Sequence, residues 1–205
     1  MAESNPNARL ETFCDGVFAI ALTLLIIDIK IPVDESIAST HDFWLALGHL
    51  LPRIFAFLLS FVTIFITWVN HHNALKLVNR SSSAFIYANG FLLLSVVVMP
   101  FPTALLGETL FTNHAAPAVI LYAVVDGLQA IGWILMITAA LKPESLVKNA
   151  RSAAVAQSNL RNVYIALIVY TVCAFLAVWF PLVVAFLITV IWSAWLIIGI
   201  NLKSK

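Results

Sequence analysis

Three groups of polar residues stand inside otherwise apolar sequence, and these are the side chains that could do chemistry. The first is Arg9-Leu10-Glu11-Thr12-Phe13-Cys14-Asp15-Gly16. The second is Thr67-Trp68-Val69-Asn70-His71-His72-Asn73. The third is Asp126, with Gly127 and Gln129 beside it. A carboxylate in an apolar stretch needs a partner, because an unpaired buried charge is strongly disfavoured. The second group offers Asp15 four: Asn70, His71, His72 and the indole N–H of Trp68. Arg9 either joins this network or extends its charged head to the membrane surface. Such a set either holds helices together or handles ions. Asp126 faces the same choice between pairing with a neighbouring Gln, Asn, Tyr or Trp and relaying a proton or ion. Metal-assisted hydrolysis fits poorly. Adjacent His71 and His72 would point about 100° apart on a helix, and no His-Glu-x-x-His pattern occurs. Cys14 and Cys173 lie in apolar runs and suggest neither a disulfide framework nor a metal site. The chain therefore does not read as an enzyme.

The elements that must position these groups follow from composition. Of 205 residues, 62% are hydrophobic and 10% are charged, against about 25% charged in an ordinary soluble domain. Mean hydropathy is +1.00. A soluble domain of this size could not hide so much apolar surface, and disorder requires the opposite composition. A formal net charge of +1 offers no basic face for nucleic acid. An all-α integral membrane protein remains, with the lipid bilayer as its surroundings. At about 20 apolar residues per crossing, six spans are expected, over about 10–29, 50–75, 84–106, 116–141, 160–179 and 182–202. Pro32 and Pro143 follow the first and fourth, and Pro100 and Pro102 bend or end the third. The long apolar run from Val163 to Leu202 is divided at Trp179-Phe180-Pro181, giving a tight hairpin. The first span reads as a retained helix, since no small-residue cleavage site follows it. Ser81-Ser82-Ser83 reads as a turn and helix cap.

With both termini cytoplasmic, Arg9, Lys76, Arg80, Lys142, Lys148, Arg151, Arg161, Lys203 and Lys205 all lie inside. Only Lys30 and Arg53 lie outside, as the positive-inside rule requires. Asp28, Asp34, Glu35, Asp42 and Glu108 then fall on or near the outer side. They are either solvated loop residues or an acidic surface that concentrates cations at a mouth.

The first span carries one further pattern. At 100° per residue, Thr23, Leu24 and Ile27 lie about −60°, +40° and −20° from Ile20, and Asp15 about −140°. One helix face is thus aliphatic with a single threonine, and the carboxylate lies nearly opposite. Spacing alone allows this stripe to face lipid, other helices or a pore.

The segment Arg9-x-x-x-Phe13-Cys14-Asp15-Gly16, opening the first of six spans, resembles the Arg-x-x-x-Phe-Ser-Asp signature of bacterial TMEM175-type potassium channels. The following Val17-Phe18-Ala19-Ile20-Ala21-Leu22-Thr23-Leu24-Leu25 and the Trp/His-bearing second span are similar as well. Cys14 stands where the family usually has Ser, and a thiol is the weaker hydrogen-bond partner. The resemblance implies a homotetramer in the bacterial inner membrane, with the first helix of each subunit lining a central pore. It implies a constriction and gate at Ile20, further aliphatic layers at Leu24 and Ile27, and potassium preference at Thr23. Arg9, Phe13, Cys14, Asp15, Trp68, Asn70 and His71 would brace that helix from behind. No Thr-Val-Gly-Tyr-Gly filter occurs in the chain. Monovalent cations, chiefly K⁺, are the expected permeants, and no cofactor is expected. The rival reading is a proton- or cation-coupled secondary transporter. It requires a midplane pocket, usually at a broken helix, and the first span has no internal proline and only Gly16 near its start.

Overall fold

The computed structural model describes the backbone of residues 6–30, 37–142 and 146–201, and the side chains of these up to residue 197. Pro32, Asp34, Glu35, Pro143, Leu202, Lys203 and Lys205, which enter the topology argument above, lie outside the described residues.

Eight α-helices make up nearly all the regular structure among the described residues. They are α1 (Ala8–Leu24), α2 (Thr40–Gly48), α3 (Leu51–Lys76), α4 (Ser83–Val98), α5 (Pro100–Thr109), α6 (Ala115–Leu141), α7 (Ala150–Leu176) and α8 (Pro181–Asn201). A 3-10 turn, Leu25–Asp28, extends α1. Five helical stretches are long and apolar enough to cross a membrane: Ala8–Asp28, Leu51–Lys76, Ser83–Thr109, Ala115–Leu141 and Ala150–Leu176. The sixth expected span is the apolar helix α8, 21 residues long in its backbone, with side chains described over Pro181–Ile197.

Prolines punctuate the chain where the sequence places them. Pro100 has no N–H to offer the Val96 carbonyl, so the helix breaks between α4 and α5. The Met99 N–H takes that carbonyl instead, at 3.2 Å. Pro181 opens α8, a first-turn position where its missing donor costs nothing. Ser82 caps α4, accepting from the Phe85 N–H at 3.2 Å.

Two elements depart from expectation. Helix α7 begins at Ala150, ten residues before the expected span. Its first turns are polar (Arg151, Ser152, Gln157, Ser158), and an Asn149 side chain caps them by accepting from the Ser152 N–H at 2.9 Å. A hydropathy pattern finds the part of a helix that lipid requires, not the part that a cap starts in water. The stretch treated above as an outer loop contains α2. Its capping box pairs the Ser39 hydroxyl with the Asp42 N–H at 3.1 Å and the Asp42 carboxylate with the Ser39 N–H at 3.0 Å.

Helix α6 is central, packing on α4 and α7 along its length, while α3 packs on α5 and α1 rests on α3 and α4. The α4–α6 crossing is close enough that a Cβ at Gly132 would stand 2.8 Å from the Leu92 Cα. Hydroxyls tie the interior together: Ser60 Oγ lies 2.6 Å from Thr103 Oγ1 and 3.0 Å from the Tyr122 hydroxyl. The start of α1, the α3–α4 turn and the α6–α7 turn share one end. Val78 and Val147 form an isolated antiparallel bridge there, and the Asn7 amide donates to the Val78 carbonyl at 3.4 Å.

Candidate functional site

Helix α1 divides into two faces. Cys14, Phe18, Ala21 and Leu25 are fully buried, spaced by three or four residues, and belong to the main apolar core with residues of α3 and α4. On the other side Ile20 is 61% exposed, Leu24 40% and Ile27 62%. Thr23 is exposed beside them. The four residues of the aliphatic stripe therefore share the face that no part of the described chain covers. The Thr23 hydroxyl donates to the Ile20 carbonyl at 2.9 Å. Its single proton is thereby committed, and its oxygen lone pairs remain available outward.

Behind α1, the structure selects one of the four candidate partners for Asp15. The Trp68 indole N–H donates to Asp15 Oδ1 at 2.8 Å. His72 instead approaches Glu11, with Nδ1 3.3 Å from Oε1. His71 is buried and contacts the rear of α1 through Phe18, their ring centroids 5.4 Å apart. Its hydrogen bond goes to another helix: Nε2 lies 2.7 Å from Asn89 Oδ1 of α4, and the Asn89 amide donates to the Phe85 carbonyl at 2.8 Å. Asn89 escaped the sequence argument, although a lone asparagine in an apolar span is the signal that would have found it.

Three of the expected bracing residues lie away from the rear of α1. Asn70 is exposed and lines a cavity on the far side of α3. Phe13 is 63% exposed, because its helical position falls about 20° from Ile20 rather than with Asp15. Arg9 lies on that side too, is exposed, and makes no bond to Asp15. Cys14 is buried as a small apolar side chain.

Two of the acidic residues placed outside have local roles. Asp42 serves the α2 capping box, and Glu108 lies 3.6 Å from the Arg53 guanidinium. Asp126 is buried in α6, and its Oδ2 accepts from the Trp192 indole N–H at 3.5 Å.

Residues 9–100 match the family described as the endosomal/lysosomal potassium channel TMEM175. A potassium channel of Chamaesiphon minutus is 47% identical over 121 residues, covering 59% of this chain and 59% of that one. A potassium channel of Streptomyces collinus is 41% identical over 137 residues, covering 64% and 65%. The matches thus span less than two thirds of the length of these two relatives. The crystal structure of a lysosomal potassium-selective channel TMEM175 homolog from Chamaesiphon minutus superposes with a TM-score of 0.77. It is 35% identical, over 92% of this chain and 96% of that one.

Proposed function

Because the chain belongs to the TMEM175 family, we propose that it is a potassium-preferring cation channel whose permeation path runs along the exposed face of α1. The observation that carries this reading is the uncovered stripe of Ile20, Thr23, Leu24 and Ile27 on a helix whose opposite face is fully packed. Four copies of the chain arranged around an axis would cover the stripe and surround a path with it. The six helices of each subunit would then cross the bacterial inner membrane with both termini in the cytoplasm.

An aliphatic ring cannot coordinate a cation, but it can gate by dewetting. When narrow, a ring of Ile20 side chains expels water and a dehydrated ion cannot follow. When wider, it admits a hydrated or partly hydrated ion. Leu24 and Ile27 would add apolar layers beyond it. Between these layers the Thr23 hydroxyl oxygens, their protons held by the Ile20 carbonyls, would offer lone pairs to a passing ion or to ordered water. Such a ring favours the more weakly hydrated K⁺ over Na⁺ modestly. The Asp15–Trp68 bond and the His71–Phe18 contact would hold the register of α1 against α3.

Ion flux into proteoliposomes tests the function. The expected result is K⁺ uptake faster than Na⁺ uptake, non-saturating over a wide gradient. Slow, saturable counterflow would replace the channel with the coupled transporter, and equal K⁺ and Na⁺ rates would remove the preference.

A further inference from the structure

Away from the α1 stripe, a cavity of about 360 Å³ opens among α3, α4, α6, α7 and α8. Its wall includes Asp126 and Gln129, buried side chains one turn apart on α6. Each has a buried polar atom without a hydrogen-bond partner: Asp126 Oδ1 and the Gln129 amide position opposite Thr67. Asp126 Oδ2 has only the long 3.5 Å bond from Trp192. No Lys or Arg is among the described residues that line the cavity, so none of these supplies the carboxyl with a counter-ion.

The orientation of Gln129 follows from counting protons. Thr67 Oγ1 lies 2.8 Å from the Thr63 carbonyl and 2.9 Å from the Gln129 side chain. A hydroxyl has one proton to give. With the Gln129 oxygen toward Thr67, only one of these two bonds can form. With the amide turned by half a rotation, Thr67 donates to Thr63, Gln129 Nε2 donates to Thr67, and both bonds form. The unpartnered atom is then the Gln129 oxygen. The cavity wall presents two buried acceptors, one of them a carboxyl oxygen, and neither is reached by a donor of the wall, although the amides of Asn70, Asn73, Asn159 and Asn162 and the Tyr170 hydroxyl share it.

Aromatic rings share the cavity wall with this acceptor pair. Trp133, Tyr170, Trp192 and Trp195 line the cavity, with Tyr170 and Trp192 stacked at 6.4 Å between centroids. Aromatic faces attract cations, and a buried acceptor pair calls for a donor that carries positive charge. A bare inorganic ion would leave most of the space empty, whereas about 300–1,000 Å³ suits an organic ligand. We propose that the cavity is a second, non-pore site that binds a small aromatic or alkyl ammonium compound. Its cationic nitrogen sits against Asp126 and Gln129, and its apolar body lies between the aromatic side chains.

Equilibrium dialysis of radiolabelled phenethylamine against the purified full chain tests this, with 2-phenylethanol as the neutral competitor of the same shape. The expected result is saturable binding that unlabelled phenethylamine displaces and 2-phenylethanol does not. Asp126→Asn, nearly isosteric, is expected to weaken binding at least tenfold. Gln129→Met, which removes the second acceptor at similar volume, is expected to weaken it several-fold and carries the test should Asp126→Asn fail to fold. Ile20→Asn, on the opposite side of α1, is expected to bind as wild type. Absence of saturable binding overturns the proposal, as does equal displacement by the alcohol. Wild-type affinity in the folded Asp126 and Gln129 variants, or loss of binding in Ile20→Asn, overturns it as well.

Discussion

Ile20 and Thr23 lie less than one helical turn apart, and in the proposed channel they would divide two tasks, gating and ion preference. In the proposed path the aliphatic side chain would decide whether the path is wet, and the hydroxyl which ion crosses a wet path more readily. Replacing Ile20 with Asn puts an amide where a hydrocarbon stood and lowers the cost of keeping water there. Ile20→Asn is therefore expected to raise single-channel conductance or open probability in planar bilayers, and unchanged values would remove Ile20 as the constriction. Thr23→Ala deletes the outward lone pairs and leaves the aliphatic layers intact. It is expected to lower the K⁺/Na⁺ permeability ratio, read as a shift in reversal potential under bi-ionic conditions. An unaltered reversal potential would remove Thr23 from selectivity. The stripe was legible in the sequence because it needs only the helical period. Its exposure in the structure agrees with that angular reading, and the same period places Phe13 on the stripe side, where the motif alone suggested a bracing role. The pairing of His71 with Asn89 was not legible, since sequence names the polar groups but not which turn of which helix meets them.

At the scale of elements, the register of α1 depends on α3 and α4, and that of α4 depends on α6. Interhelical hydrogen bonds in membranes average only about 0.6 kcal/mol, so bonds such as Asp15–Trp68 specify position more than they stabilise. Close backbone packing carries more. Gly132→Val would drive side-chain carbons into the Leu92 backbone, 2.8 Å from where a Cβ would stand. It is expected to cost about 1–3 kcal/mol, seen as a lower melting temperature by fluorescence-detected size exclusion. Gly127→Ala, on the same helix, meets only Leu167 Cδ1 at 4.0 Å. Alanine is the better helix former, so this variant is expected to melt at or above the wild-type temperature. Equal behaviour of the two variants would contradict the close α4–α6 crossing. Spans were legible because lipid demands apolar length. The early start of α7 and the whole of α2 were not, because both rest on caps in watery segments, Asn149 and the Ser39–Asp42 box.

For the whole molecule, apolar composition serves three different surroundings: the packed interior, the lipid, and the uncovered face of α1. The uncovered face of α1 meets either lipid or a water path, and function depends on which. Chemical access can separate the two. The native Cys14 and Cys173 are buried, so a cationic methanethiosulfonate reagent, which reacts from water, should leave wild-type currents unchanged. Applied to open channels of Ile20→Cys, the same reagent is predicted to block K⁺ current, because the new thiol lines the path and its modification places bulk and charge there. Persistent current in Ile20→Cys after full exposure, with the thiol still unmodified by mass spectrometry, would mean that this face meets lipid, and would contradict the assignment of α1 as the pore-lining helix.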